Sequence, residues 1–442
     1  MADVRRLTWA EVVLLAAIVA AAAGTRAGYL IVCADYGRND GPLRVEKLLP
    51  DLDMLVGNLK NKQRFAVTLS PKAEDVDIAS VSPGYPILTA VVGRLVEDPA
   101  LPATMRWLQC GLGALTAGLY FLFARRAFHS SLVAVLAGLL CALHPFWVLD
   151  TPTRADGTLA TFLLALALFL GVRASQTSGP LSSLLYGLAL AVLALVRAPL
   201  LPFAFVALAW FLLRSRTLAH GWLAALLAFL GFIIGLAPWT VRNWQLFGEP
   251  LPIVDSAHFH LWAGNKPPRP PSAEEKAPGD WKTAPIDRQS PDRHYAGEIV
   301  REIRERPAET VHRRLRAGLH FVFGERWLTS GQLAESIGPE GVSPPWLAWS
   351  YPLVLESTML ILVVLGLLGW RWTYAWRASA MPSSLALIWI PLPYILSHAE
   401  ALSGPRLPLD GVLLCYAAFA LACLFPGRGR LWAGESARGL DA

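Results

Sequence analysis

Charge is scarce in this 442-residue chain: Asp, Glu, Lys and Arg together make up 16% of it, where a soluble domain carries about a quarter. The hydrophobic class accounts for 54% and the mean hydropathy is +0.43, which excludes a single water-soluble globule and a disordered chain. Cysteine is scarce too. Cys33, Cys110, Cys141, Cys415 and Cys423 lie in or beside apolar runs without CxxC or Cys/His spacing. They read as buried free thiols and exclude a disulfide-stapled secreted scaffold. Gly and Pro follow no period, and no internal repeat is visible. What is present is apolar sequence in long runs, so the expected fold class is an all-α polytopic membrane protein. The net charge of +6 comes from arginines dispersed among those runs, which points to membrane lipids or a phosphorylated lipid and away from nucleic acid.

A span needs about 20 apolar residues, somewhat fewer when its ends snorkel. Candidate spans are Leu7 to Ala23, Met105 to Phe123, Ser131 to Leu149, Leu159 to Val172, Leu181 to Val196, Leu200 to Leu213, Trp222 to Trp239, Pro352 to Trp370, Ser384 to Leu396 and Leu407 to Phe425, about ten transmembrane helices. One set of short connections carries Arg125 and Arg126, Arg173, Arg214 and Arg216, and Arg371 and Arg377, with Arg5 and Arg6 before the first span and Arg428 and Arg430 after the last. The opposite short connections carry Arg154, Arg197 and Arg406. The positive-inside rule then puts both termini in the cytoplasm of a multi-pass inner (plasma) membrane protein. The first span, followed by Ala21-Ala22-Ala23, also has the outline of a signal peptide. An uncleaved span is expected, because its removal would leave the termini on opposite sides.

Polar sequence is concentrated in two outward loops, roughly Ala34 to Thr104 and Thr240 to Tyr351. These divide the chain into an N-terminal transmembrane module (1–238, about seven spans, with its outward loop at 34–104), a long outward loop (239–351), a C-terminal module (352–425, about three spans) and a cytoplasmic tail (426–442). Helical spacing of Leu48, Leu49, Leu52, Leu55, Val56 and Leu59 predicts a surface helix within Val45 to Phe65. The segment Lys266 to Pro291 is Pro-rich and lacks apolar period, as expected of a flap or linker. Tyr295 to Phe323 reads as helix, interrupted at Pro307, which suits the first turn of a second helix. Arg313, Arg314 and Arg316 cluster there, as a solvated basic face or a contact for lipid phosphate. Tryptophans at 239, 244, 327, 346, 349, 370, 372 and 376 fall where interfacial anchors are expected.

Ionisable groups in or at the edge of a span cost free energy and call for a reason. Asp35 and Asp40 follow the first span, Asp150, Arg154 and Asp156 surround an outward turn, and Arg197, Arg242 and Arg406 flank others. All fall near one membrane face. Carboxylates there can take a proton from a hydroxyl, and arginines can bind a phosphate leaving group. An ion pathway would instead distribute such groups through the membrane depth.

The acid after the first span, the loop ending in SPGYP at Ser82 to Pro86, the turn HPFWVLDTPTRADG, the string PWTVRNWQLFGEPLPIV from Pro238 to Val254 followed by LWAGN, and the final turn Pro405-Arg406-Leu407-Pro408 together resemble the GT-C superfamily of integral-membrane glycosyltransferases. The layout is most similar to the bacterial aminoarabinose transferases and protein O-mannosyltransferases, over roughly Asp35 to Pro408. The resemblance implies an inverting transferase that uses a polyprenyl-phosphate sugar donor and an outer-face lipid, glycan or protein acceptor. By position, Asp35 matches the first-loop acid, Asp156 the second acid, and Arg242 and Arg406 the residues near the lipid phosphate. Tyr85 of SPGYP, Arg154, His258 and His260 complete the expected substrate-binding set.

Two departures stand out. The usual acidic pair of the first loop is absent, because Asp35 is followed by Tyr36 and the next acid is Asp40: either Asp40 substitutes for Asp35 as the base, or substrate handling differs, or activity is lost. The final turn lacks the Tyr that usually follows its Arg. No cofactor is implied with certainty. A divalent metal at His258 and His260 is conceivable, but no third ligand is visible and a hydrogen-bonding role is expected. The alternatives are a flippase or transporter for a lipid-linked substrate, and a non-catalytic GT-C-like membrane protein.

Overall fold

The structure, a computed structural model, describes residues 7–36, 52–68, 75–218, 221–255, 257, 261–262, 291–323, 360–371, 380–397 and 406–424. In chain order these form α1 (Trp9–Tyr36), α2 (Leu52–Asn61), a hairpin of β1 (Ala66–Thr68) and β2 (Asp75–Asp77), α3 (Gly84–Gly93), α4 (Leu101–Ala127), α5 (Ser131–Leu143), α6 (Pro145–Asp150), α7 (Gly157–Thr177), α8 (Pro180–Val196), α9 (Leu201–Ser215) and α10 (Gly221–Phe247). There follow α11 (Pro291–Glu305), α12 (Pro307–Phe323), α13 (Leu360–Arg371), α14 (Met381–Trp389), α15 (Pro391–Ser397) and α16 (Leu407–Leu424). The hairpin is antiparallel, with Ala66 opposite Asp77 and Thr68 opposite Asp75.

The chain is a helical, multi-pass membrane protein. Among the described residues, six segments are long and apolar enough to cross a membrane: Trp9–Ile31, Asp98–Ala127, Gly157–Thr177, Ala198–Ser215, Gly221–Phe247 and Leu407–Leu424. The remaining apolar runs coincide with shorter helices, among them α5, α8 and α13. Three boundaries differ from expectation. The first helix does not stop near Ala23 but runs to Tyr36, so Asp35 lies in its last turn and not beyond it. The run Ser131 to Leu149 is broken at His144, which is extended (φ −62°, ψ 114°), because a proline disfavours helical backbone at the residue before it. Pro391 likewise splits the run Ser384 to Leu396 into α14 and α15. Within Val45 to Phe65, the described helix is Leu52–Asn61 and the chain then enters the hairpin, an element the helical spacing did not announce.

α16 is the centre of the bundle. Its residues are buried almost throughout, and it packs against α5, α7, α14 and α4. α1 lies outside, against α4 and α5, and keeps Val13 and Ile31 exposed, as α10 does Leu226 and Ile234. Apolar side chains on such faces suit contact with lipid. At one end Glu11 accepts from Arg125 Nε and Ser131 Oγ, both at 2.6 Å. The other end, here the head, collects α2, the hairpin, α3 and the turns between the long helices.

α8 and α10 pack backbone against backbone, and two glycines permit it. A Cβ on Gly187 would stand 1.8 Å from the Ala228 carbonyl oxygen, and one on Gly231 2.1 Å from that of Leu184. Small residues at such crossings let backbones touch where no hydrophobic drive exists between helices in lipid. Gly187→Leu must push α10 away, and it is expected to cost about 3 kcal/mol by overpacking, read as a lowered unfolding midpoint in detergent. Gly24→Ala is the control, since its Cβ would meet nothing within 4 Å. It is expected to be neutral or slightly stabilising.

Candidate functional site

The turn from His144 to Gly157, read in the sequence as HPFWVLDTPTRADG, is the hub of the head. His144 ends α5 and caps α6, and its Nε2 lies 3.0 Å from Asp410 Oδ2 on α16. One turn on, Trp147 Nε1 donates to the Leu407 carbonyl at 3.0 Å. The carbonyls of Thr151 and Thr153 accept from Gln109 Nε2 at 3.0 and 2.6 Å, and that of Pro152 accepts from Arg106 Nε at 3.2 Å. Backbone groups of a non-helical turn buried in a bundle need such partners, and α4 supplies them. Gln109 in turn accepts from the Tyr85 hydroxyl at 2.7 Å, which joins SPGYP to the turn. Burial pushes the Tyr85 hydroxyl above its ordinary range.

Three charged residues of the turn are placed differently. Asp150 is buried and receives hydroxyls from Thr158 at 2.9 Å and Thr153 at 3.1 Å. Burial pushes its carboxyl up to about 6, against the pull of those hydroxyls. Arg154 reaches Asp53 of α2 in an ion pair. Asp156, just before α7, is gripped by Arg197, with Nε to Oδ2 at 2.7 Å and Nη2 to Oδ1 at 2.9 Å. Such a two-pronged pair is directional as well as strong. It fixes the α8–α9 turn, where the Ala198 N–H also donates to Ser82 Oγ at 3.0 Å. Both carboxylate oxygens of Asp156 are thus occupied, which favours a positioning task over proton abstraction.

Arg406 is 1% exposed and opens α16. Its Nε donates to Asp410 Oδ1 at 2.7 Å, its Nη1 to the Val322 carbonyl, and its Nη2 has no partner among the described residues. A buried guanidinium nitrogen without a partner is costly, and an anion that reached it would gain a charge-assisted hydrogen bond.

Arg242 stands elsewhere. Its Nη1 donates to the Ile78 carbonyl at 2.8 Å and its Nη2 to that of Phe65 at 3.0 Å. Its guanidinium lies 4.8 Å from the Trp239 ring centroid. Trp239 Nε1 and Asn243 Nδ2 both donate to the Ile253 carbonyl, at 2.8 and 3.1 Å. The string PWTVRN therefore ties the hairpin and the segment after α10 to the end of that helix. Arg313 and Arg314 also have structural partners: Arg313 is buried beside Glu302 and Glu309, and Arg314 Nη1 donates to the Ile395 carbonyl at 2.7 Å. Asp35 lies in the last turn of α1, and the description does not extend to its side chain. Asp40, His258 and His260 lie outside the described residues. Among the described residues no group of three or more His, Cys, Asp or Glu could hold a metal ion.

Sequence reasoning passed over three groups here: His144, Asp410 and Arg26. Arg26 is fully buried in α1 and caps the end of α5 through the Ala142 carbonyl at 3.1 Å, a placement that suits the negative end of a helix. The available signal was an ionisable residue inside an apolar run, which Asp410 and Arg26 both give.

No family model and no curated protein matches the sequence. Among solved structures, the apo oligosaccharyltransferase of Archaeoglobus fulgidus matches at 14% identity with a TM-score of 0.53, covering 95% of this chain and 52% of that one. The chain therefore spans about half the length of that protein. At this identity the likeness is one of fold: nearly the whole chain is built on a fold similar to that of the archaeal oligosaccharyltransferase.

Proposed function

We propose that the chain is a membrane glycosyltransferase that moves a sugar from a polyprenyl-phosphate-linked donor to an acceptor at the head end, with inversion at the anomeric carbon. The observation that carries this is Arg406, a buried guanidinium at the head end of the central helix with one nitrogen unpartnered among the described residues. The shared fold supports the class of enzyme, and the arginine bias of the connections supports a head outside the cytoplasm. In this scheme the acceptor's nucleophile gives its proton to Asp35 and attacks the sugar C1. The bond from C1 to the phosphate oxygen breaks, and its electron pair leaves on the polyprenyl phosphate. Arg406 meets the charge that develops there. Asp156, Arg154 and Tyr85 hold the frame around the reacting groups.

The test is turnover by the purified full chain in liposomes, with a polyprenyl-phosphate sugar as donor and release of polyprenyl phosphate as the signal. Donor consumption that depends on the protein supports the transferase. Movement of intact donor across the bilayer without consumption would make the chain a flippase and overturn it.

A further inference from the structure

Beyond the Asp156–Arg197 pair, the described part of the head holds a buried cluster of ionisable side chains: Arg406, Asp410 and His144. All three are nearly inaccessible, at 1%, 1% and 3% exposure. Asp410 divides its carboxylate, Oδ1 taking Arg406 Nε at 2.7 Å and Oδ2 facing His144 Nε2 at 3.0 Å. The ring of His144 is itself confined, edge-on to Trp147 with centroids 5.4 Å apart. Trp147 and Tyr120 each reach a carbonyl of the same first turn of α16, those of Leu407 at 3.0 Å and Pro408 at 3.5 Å.

A guanidinium has five donors in one plane, so fixing two of its nitrogens fixes where the third points. Here Asp410 takes Nε, the Val322 carbonyl takes Nη1, and Nη2 is left. A buried arginine with no carboxylate beside it would carry a large desolvation penalty, and a carboxylate free to rotate would hold Nε loosely. His144 Nε2 engages the other oxygen of that carboxylate at 3.0 Å.

We propose that Asp410 and His144 are positioning residues: His144 locks the Asp410 carboxylate, and Asp410 turns the Arg406 guanidinium so that Nη2 meets an oxygen of the phosphate monoester of a lipid. This rests on the transferase reading for the identity of the lipid phosphate, and it adds two residues, one capping α6 and one on α16, that act through Arg406 without touching the substrate. Charge-assisted hydrogen bonds of this kind are worth about 1.5–3 kcal/mol, so losing the alignment weakens phosphate binding by about tenfold or more.

The experiment measures binding of undecaprenyl monophosphate, and of uncharged undecaprenol, to the full chain in detergent. His144→Phe keeps a ring of similar size and loses the bond to Asp410. It is expected to weaken the monophosphate about tenfold and leave undecaprenol unchanged. In an Arg406→Gln background the same His144→Phe change is expected to have no further effect, because its action passes through Arg406. Asp410→Asn keeps an acceptor for Nε and is expected to retain most of the affinity that Asp410→Leu loses. Additive losses in the double variant, or equal losses for monophosphate and alcohol, would show a general structural role and overturn the proposal. Failure of the wild-type chain to bind the monophosphate would overturn it and the transferase reading together. Coupled binding with no sugar turnover would leave the positioning intact and remove only the transferase.

Discussion

Replacing Asp35 by Asn is expected to lower sugar transfer by about 10²–10⁴-fold, the usual contribution of a positioned general base, without lowering stability. Asp35 sits in the last turn of α1, a turn that contains no basic residue. A charged residue of this sign in the last turn of a helix meets the negative end of the helix dipole, which costs roughly 0.3–1 kcal/mol. The amide removes the unfavourable charge, so the Asp35→Asn protein is expected to melt at the same temperature in detergent or slightly higher. An inactive protein that is also less stable would point to a structural task for Asp35. The parallel Asp40→Asn variant distinguishes the two acids: loss confined to Asp40→Asn would move the base there, and full activity in both variants would end the acid-base account.

The membrane architecture was legible because burial in lipid demands long apolar helices, and few other devices satisfy the backbone there. Breaks at His144-Pro145 and Pro391 were visible as prolines but not as breaks, since a proline in an apolar run is compatible with a kinked span. The sites were read less well, for a reason that Arg242 and Asp410 illustrate. Arg242 looked like a phosphate ligand because its string PWTVRN stands out. Its partners are two carbonyls, 164 and 177 residues away in sequence, and the Asp77 carboxylate at 3.5 Å, and nothing local reveals them. Asp410 did not stand out, hidden in the run LPLDGVLL, yet it anchors the open arginine, and its other partner is 266 residues distant. Local spacing identifies which polar residues are costly. Only the fold shows whether their partners are carbonyls, which make them structural, or whether a donor is left over.

Asp156 is the residue on which that distinction can be tested most sharply. Asp156→Leu leaves Arg197 buried and charged without its carboxylate, and removing one partner of a buried pair costs about 3–5 kcal/mol. Asp156 retains a side-chain exposure of 20% against 10% for Arg197, so the lower end, about 3 kcal/mol, is expected. Loosening Arg197 also releases the turn that Ser82 grips through the Ala198 N–H, so transfer should fall with stability. The double variant Asp156→Leu/Arg197→Met replaces both charges with apolar groups of similar volume. Such replacements are often neutral, and the unfolding midpoint should return to within about 1 kcal/mol of wild type. If Asp156 serves only to hold the turn, the refolded double variant recovers most of its sugar transfer along with its stability. If the double variant is stable and still inactive, Asp156 touches the substrate, and the proton abstraction assigned to Asp35 has to be shared with it or moved to it.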